Sequence, residues 1–420
     1  MALIKRDKFY MRKITCCFAL AAFFSGCSMP PGRAAQSYAP LTLGDSALSV
    51  FYEFDEPLPD SPGVLLRQEP LEQTQSLVGA GVNRRILYSS TDGLGGSDIV
   101  PVSGVLYLPP GDAPPDGWPL MAWTHGTVGI ADRCAPSWNG RQAQDEEYLN
   151  RFLSEGYAVV ASDYQGLGTR GTHPYLATRP EAYSNLDGIR AVQRAGFPVS
   201  KRVALFGQSQ GAGAAIATAA YSQAYAPEID IVGVIATGPP YFTPAAVKAI
   251  ERIRQPDKPD SLLGYSFLAL TLVQLEQPEF RMHDYVSSLA LPIAERVADS
   301  CYKDIKAQVH DAKLTYNEAF DKSPSDALTA AFGLMGYPRL DLSPPIFMGT
   351  GGKDRDTPPR MQAGLAMGLC KAGSRVLAEF YPELNHREVV LASTVDSMPF
   401  LKAAFEGHPI EGNCSSQRFK

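Results

Sequence analysis

The stretch that decides the fold is VALFGQSQGAGAAIATAA, residues 203–220. An apolar run leads into the segment Gly-Gln-Ser-Gln-Gly, residues 207–211, and a run of small residues suited to a helix follows it. A Gly-x-Ser-x-Gly segment between a strand and a helix is typical of a nucleophile elbow, in which small neighbours let a strained turn expose the serine hydroxyl. The start of the helix directs partial positive charge at a developing oxyanion. We therefore predict that Ser209 is a nucleophile rather than a serine that only caps a turn.

Short apolar runs alternate with helical patterns on both sides of this stretch. This alternation predicts an α/β fold with a mostly parallel sheet and helices on both of its faces. Ser184 or Asn185 is the predicted N-cap of the second helix. The predicted strands are residues 84–89, 99–108, 119–124, 157–161, 202–206, 231–236, 345–349 and 376–381, and the predicted helices are 145–155, 185–194 and 210–224.

The strand rhythm stops between residues 237 and 343, where only helical patterns occur, at 243–254, 262–275, 284–299 and 326–334. An inserted helical subdomain, a cap or lid, is the simplest explanation. The predicted organisation is a leader at 1–27, a tether and N-terminal segment at 28–82, the core at 83–236 and 344–420, and the cap at 237–343.

Composition and charge exclude several classes of protein. The 420 residues are 45% hydrophobic and 20% charged, which is typical of a globular chain and not of a disordered, collagen-like or coiled-coil one. The net charge is −6. Residues 1–26 carry five basic residues and one acidic residue, so the remainder stands at −10. Such an acidic body argues against nucleic acid as a partner.

The first 27 residues resemble a bacterial export signal. Basic residues end at Lys13, and the apolar stretch 14–24 that follows is too short to span a bilayer. The segment Phe-Ser-Gly-Cys at 24–27 resembles a lipobox, with Phe where Leu is usual. We predict that the protein is exported and that Cys27 carries a lipid anchor to the bacterial outer membrane or periplasmic surface. The alternative is a plain secretory signal cleaved near the same place.

Four cysteines lie beyond the leader: Cys134, Cys301, Cys370 and Cys414. An even number in an oxidising compartment predicts two disulfides, with three possible pairings. Their spacing from the histidines does not resemble a zinc site, and the sequence predicts neither a metal nor a cofactor.

A nucleophilic serine needs a base, and His386 is the predicted one. In α/β-hydrolases the chain order is serine, acid, histidine. Of the histidines that follow Ser209, His386 comes a short loop after an apolar strand, at the sheet edge that Ser209 also occupies. The acid should follow the preceding strand, where Asp354 and Asp356 compete.

The pattern Asp-x-x-Thr-Pro favours Asp354 as the acid, which would fix the tautomer of the base. Asp356 is predicted to cap the helix near Pro358 or to pair with Arg355. The predicted oxyanion donors are the backbone N–H of Gln210 and the N–H or hydroxyl of Thr127. His125, two residues before Thr127, is interpreted as support for that loop.

These segments together resemble the secretory lipase family, typified by fungal lipase A, in its bacterial branch. The motifs that carry the resemblance are His-Gly-Thr at 125–127, Cys-Ala-Pro-Ser-Trp at 134–138, Asp-Tyr-Gln-Gly-Leu-Gly at 163–168, the elbow at 207–211, and the segments around Asp354 and His386. Ala212 departs from a second glycine that is frequent in the family, and Thr127 stands where lipase A has Asp.

The resemblance implies an α/β-hydrolase core with a helical cap. It also implies the disulfides Cys134–Cys301 and Cys370–Cys414, and a structural role for Asp163. The expected function is that of a serine carboxylesterase or lipase acting on acylglycerol-type or shorter-chain esters, with a small-molecule or lipid ester as its partner.

Two other functions stay open at this point: a peptidase or amidase of the same fold, and a catalytically silent binding protein of the cell envelope. The apolar residues of the predicted cap have two possible roles: they form a wall for the acyl chain, or they pack the cap against the core. These residues are Phe242, Tyr265, Phe267, Leu268, Leu270 and Leu272.

Overall fold

A computed structural model describes residues 48–246, 252 and 254–415. The predicted leader, its lipidation site Cys27 and residues 28–47 of the predicted tether therefore lie outside the described residues. Within them, nine strands form one sheet in the order β1-β2-β3-β5-β4-β6-β7-β8-β9. The strands are β1 Leu65–Pro70, β2 Val82–Thr91, β3 Ile99–Leu108, β4 Trp118–Thr124, β5 Ala158–Ser162, β6 Val199–Gln208, β7 Asp230–Thr237, β8 Ile346–Gly351 and β9 Val376–Tyr381.

The sheet is mostly parallel. The pairs β1–β2, β2–β3 and β3–β5 are antiparallel. All pairs from β5 to β9 are parallel, so their carboxyl ends share one edge of the sheet. Ligand sites of such sheets form at this edge.

Helices cover both faces of the sheet, as the alternating pattern predicts. On one face Leu186, Ile216 and Leu365, from α3, α4 and α10, join a single apolar cluster with the strands. On the other face Phe152 of α2 and Phe400 of α12 do the same. The helices are α1 Pro136–Asn139, α2 Ala143–Ser154, α3 Thr178–Arg194, α4 Gln210–Tyr225, α5 Leu263–Glu276, α6 Leu291–Glu295, α7 Tyr302–Asp311, α8 Tyr316–Ala319, α9 Ser325–Leu334, α10 Pro359–Ala372, α11 Glu388–Ala392 and α12 Thr394–Glu406.

The predicted start of α3 is wrong. The helix begins at Thr178, so Ser184 and Asn185 are buried in its interior and neither is an N-cap. The segment 28–82, to which we assigned no strand, contributes β1, an edge strand that pairs with β2. The charged and polar residues of β1 hide the alternation that marks a strand.

Helices fill the described residues between β7 and β8, where the sequence predicts the cap. We use the name cap for residues 237–343. Helix α5 and its neighbours bury an apolar cluster that also takes in Ile130 and Tyr175 from the core. The predicted helix 284–299 is instead the short α6 flanked by single 3-10 turns, and part of the predicted helix 243–254 lies outside the described residues.

The described part of the chain contains the disulfides Cys134–Cys301 and Cys370–Cys414, and this is the pairing that the family resemblance implies. The first joins the cap to the core across 167 residues of sequence. The second joins α10 to the C-terminal segment. Among the described residues, no helix has both the length and the hydrophobicity needed to cross a bilayer.

Candidate active site

Ser209 lies at the carboxyl edge of the sheet, between β6 and α4. Its φ of +58° falls in the left-handed region, and its N–H donates to Thr237 O at 2.9 Å. The turn closes because Gly211 lies directly against β4, where a Cβ would come within 1.9 Å of Thr124 O. The glycine of the motif thus allows the close packing that holds a strained serine in place.

His386 and Asp354 form a close buried pair. His386 Nδ1 lies 2.7 Å from Asp354 Oδ2, and the carboxylate side chain is fully buried. Because a carboxylate only accepts, Nδ1 carries the proton, and the free lone pair lies on Nε2. Nε2 is buried and has no hydrogen-bond partner among the described residues. The arrangement leaves the Nε2 lone pair of His386 available to accept a proton.

The loop at residues 352–358, which we call the acid loop, presents Asp354 to this histidine. Asp354 Oδ1 accepts from the backbone N–H groups of Asp356 at 3.0 Å and Thr357 at 2.9 Å. Oδ2 also accepts from Gln362 Nε2 at 2.9 Å. Both oxygens therefore face donors, and these contacts fix the orientation of the carboxylate toward His386.

Gln362 and Gly238 lie next to the His386–Asp354 pair, and neither was predicted from the sequence. Gln362, on α10, is 0% exposed. A Cβ at Gly238, which has φ +64°, would lie 2.9 Å from His386 Cε1 and 3.4 Å from Asp354 Oδ2. The one available signal was that Gly238 directly follows the buried strand β7.

A short loop between β9 and α11 holds His386 through local bonds. Asn385 Oδ1 accepts from the N–H groups of Arg387 at 2.9 Å and Glu388 at 3.1 Å. The N–H of Asn385 donates in return to Glu388 Oε2 at 2.9 Å. Reciprocal bonds of this kind fix the entry of a chain into a helix.

Ser209 and His386 open into one cavity of about 790 Å³. Thr127, Gly126 and the disulfide Cys134–Cys301 also line it. We call it the nucleophile cavity. All three predicted catalytic side chains thus lie at one edge of the sheet, with Asp354 behind His386.

One of the two predicted oxyanion donors, Gln210, directly follows Ser209, and the other, Thr127, lines the same cavity as Ser209. The backbone N–H of Gln210 belongs to the first turn of α4, where helix N–H groups have no partner within the helix. Thr127 lines the nucleophile cavity, and its Oγ1 shares a hydrogen bond with Tyr175 OH at 2.8 Å. Either hydroxyl can be the donor in this bond, so both the hydroxyl and the backbone N–H of Thr127 stay candidate donors.

His125 and Asp163 have supporting positions. Both ring nitrogens of His125 face backbone carbonyls, Gly126 O at 2.7 Å and Asp163 O at 3.2 Å. Burial lowers its pKa to about 4, so the ring is neutral at pH 7 and its single N–H donates to one of these two carbonyls. The carboxylate of Asp163 accepts from Ser103 Oγ at 2.7 Å and Ser137 N at 3.0 Å. These contacts hold the loops beneath the site, in agreement with the interpretation of both residues.

The predicted role of Asp356 is wrong. Residue 358 is the N-cap of α10, and Asp356 does not cap that helix. Its Oδ1 instead accepts from Tyr265 OH at 2.9 Å and lies 3.8 Å from Lys306 Nζ. Asp356 therefore connects the acid loop to the cap, a contact that depends on how the cap is oriented.

Tyr265 borders two cavities. It lines the nucleophile cavity and a second cavity of about 140 Å³ that we call the apolar cavity. Of the cap residues considered as an acyl wall, Phe242 and Tyr265 line the apolar cavity, whereas Phe267, Leu268, Leu270 and Leu272 are fully buried in the cap cluster. The other apolar residues of this lining are Leu176, Ala269, Pro324, Leu328, Phe332 and Met335, and its further members are Arg254, Ser266, Tyr316 and Ser325. Within the described residues, no group of three or more His, Cys, Asp and Glu is arranged to hold a metal ion.

Comparison with known proteins agrees with this architecture. A family model described as "Secretory lipase" matches residues 137–409, more than half of the chain. The chain belongs to the secretory lipase family. The family match includes the elbow, the acid loop and the loop of His386.

Of two relatives with similar sequences, one is named a lipase and the other a probable inactive lipase. The present chain is 27% identical to lipase A of Moesziomyces aphidis, over 65% of this chain and 62% of that protein. It is 28% identical to a protein of Mycobacterium tuberculosis named as a probable inactive lipase, over 42% of each chain. The chain thus spans less than two thirds of the length of either relative.

Lipase A of Candida antarctica is a solved structure with the same fold. The TM-score is 0.68 at 19% identity, with 90% of this chain and 88% of that one covered. The fold of this family member is therefore that of an α/β-hydrolase with helices inserted between β7 and β8.

Proposed function

We propose that the protein is an exported serine carboxylesterase or lipase. The observation that carries the proposal is the buried His386–Asp354 pair, 2.7 Å apart, which opens into the same cavity as a serine held at φ +58°. Membership of the secretory lipase family supports it independently.

The geometry suits acyl transfer through Ser209. Its Oγ attacks the ester carbonyl while His386 Nε2 takes the hydroxyl proton, and Asp354 stabilises the imidazolium that forms. The N–H groups of Gln210 and Thr127 receive the oxyanion. The base then gives its proton to the departing alcohol, and water hydrolyses the acyl-enzyme by the same steps in reverse.

The decisive assay measures hydrolysis of p-nitrophenyl esters from acetate to palmitate by the purified protein. A fluorophosphonate should label it stoichiometrically, with the added mass on the peptide that contains Ser209. Turnover of aminoacyl anilides in preference to esters would instead favour a peptidase. A folded protein that neither turns over a substrate nor reacts with the phosphonate would be a catalytically silent binding protein. One relative is itself named as a probable inactive lipase.

The acyl chain is proposed to enter the apolar cavity beside Tyr265, and the alcohol to leave through the nucleophile cavity. The apolar lining supports this assignment because burial of each CH₂ contributes about 0.8 kcal/mol. The 140 Å³ volume is small, so the unmodified protein should prefer short to medium chains.

Tyr265→Ala is expected to move the optimum of kcat/KM to longer chains, since Tyr265 borders both cavities. The ratio of decanoate to butyrate hydrolysis should rise about tenfold, the effect of roughly two further CH₂ groups. Tyr265→Phe is the matched control, because it keeps the ring and loses only the hydrogen bond to Asp356. An unchanged chain-length profile in the alanine variant would contradict this placement of the acyl chain.

Export and lipidation at Cys27 belong to the same proposal. Palmitate labelling of the protein in a bacterial host should disappear in Cys27→Ala. Cys16→Ala, a substitution within the predicted leader, is the matched control and should label normally. Labelling that persists without Cys27 would favour the plain secretory signal.

A further inference from the structure

The two variable positions of the elbow are both glutamines, and their side chains have different contacts. Gln208 Nε2 donates to the backbone carbonyl of His386 at 3.3 Å. Gln210 Nε2 points into the core, where it lies 2.8 Å from Glu181 Oε1 and 3.3 Å from His173 Nε2. The residue whose N–H is the proposed oxyanion donor is thus anchored by a buried polar network that the triad does not explain.

Neutral His173 is suited to accept one of the two amide protons of Gln210. Its Nδ1 lies 3.0 Å from the backbone carbonyl of Gln165, which can only accept, so Nδ1 carries the proton and Nε2 is the acceptor. Burial lowers the pKa of His173 to about 4, which keeps the ring neutral. The other amide proton of Gln210 goes to Glu181, so both donors of the amide are used.

Glu181 is a buried acid on α3, 1% exposed. Burial raises its pKa to about 8, against the hydrogen bonds from the side chain of Gln210 and the backbone of Leu176. The titratable groups that face it from the surrounding elements are His173 and the hydroxyls of Tyr164, Tyr175 and Tyr337. These groups are uncharged near neutral pH, so no cation among them compensates an ionised Glu181.

The same segment also reaches the second proposed oxyanion donor. Tyr175 OH shares its hydrogen bond with Thr127 Oγ1, and Leu176, the next residue, has a φ of +63°. Residues 173–181 therefore contact both Thr127 and Gln210. A strained non-glycine residue is kept where the surrounding contacts determine its conformation.

We propose that Glu181, with His173, is a positioning residue that holds the oxyanion donor at Gln210, and that a negative charge on Glu181 lowers the rate of acyl transfer. The inference rests on the proposed esterase function. A neutral Glu181 anchors the Gln210 side chain. An ionised Glu181 adds a buried negative charge one side chain away from the position where the oxyanion develops, and such charges interact strongly inside proteins. Activity is therefore highest while Glu181 is protonated, and it falls as the pH rises through about 8.

The test measures kcat and KM for p-nitrophenyl butyrate from pH 6 to 10, with the spontaneous rate subtracted. Glu181→Gln preserves shape without a charge, so its kcat at pH 7 should stay within about threefold of the wild type, while the decline above pH 8 disappears. At pH 9.5 the variant should exceed the wild type by about tenfold, because the titration spans more than one pH unit. Glu181→Leu removes the anchor and should lower kcat about 10- to 100-fold with little change in KM.

Asp187→Asn is the matched control, since Asp187 is also a buried acid of α3 but bonds to Ser90 and Arg190. It should leave the shape of the pH profile unchanged. Superimposable profiles for the wild type and Glu181→Gln would overturn the inference, even if the leucine variant fails to fold. A wild type without esterase activity would overturn the proposed function first, and this inference with it.

Discussion

Ser209→Ala is expected to lower kcat for ester hydrolysis by about 10⁶-fold, the loss seen when a triad nucleophile is removed. The variant keeps Gln210, Thr127 and the cavity, so substrate can still bind while no acyl-enzyme forms. The left-handed φ of residue 209 strains alanine as it strains serine, and stability should change little. Rates, phosphonate labelling and the thermal midpoint should be measured together.

Ser222→Ala is the matched control for this loss. Ser222 lies on the same helix, α4, and its hydroxyl bonds only locally, to Ala219 O at 2.9 Å. The control should retain full activity. Substantial hydrolysis by Ser209→Ala with a normal thermal midpoint would remove Ser209 from the mechanism and would reopen the choice of nucleophile.

Asp354→Asn is expected to lower kcat by about 10⁴-fold, because an amide in place of the carboxylate stabilises the wrong tautomer of His386. Both oxygens of Asp354 accept hydrogen bonds. In asparagine one of these oxygens becomes an NH₂ group, so the donors that faced it lose their acceptor. The unpaired donors should also reduce the free energy of unfolding by about 1–3 kcal/mol. Steady-state kinetics and denaturant unfolding measure the two effects separately.

Asp356→Asn provides the comparison, since the two aspartates compete for the same role in the sequence. It removes the charge that faces Lys306 and keeps an amide oxygen that can accept from Tyr265, so kcat should fall less than about tenfold, in line with a partly exposed charge pair. The reverse ranking of the two variants would make Asp356 the acid.

Local pattern was enough to predict the elbow, because an apolar strand, a Gly-x-Ser-x-Gly turn and a small-residue helix are adjacent in the chain. The positions of His386 and Asp354 could also be predicted, since parallel strands bring their following loops to one edge. The prediction of α3 failed at its start because Glu181 looks like a surface residue, whereas it is buried and hydrogen-bonded in the core.

The remaining features depend on contacts between distant segments. Gln362 supports Asp354 from another element, and no spacing in the sequence marks it. The bond between Asp356 and Tyr265 requires the position of α5 over the acid loop. Such contacts can be identified only from the three-dimensional structure, because the residues that form them are far apart in the sequence or on different elements.

The disulfide Cys134–Cys301 lines the nucleophile cavity and holds the cap to the core there by a covalent bond. Directly beside it, the N–H of Tyr302 donates to Val128 O at 2.8 Å. On another side the cap is held to the acid loop by the hydrogen bond from Tyr265 to Asp356, which thermal motion can break and remake. A separation of the cap from the core would therefore keep the covalent link at Cys134–Cys301 but would have to break the hydrogen bond to the loop that carries Asp354.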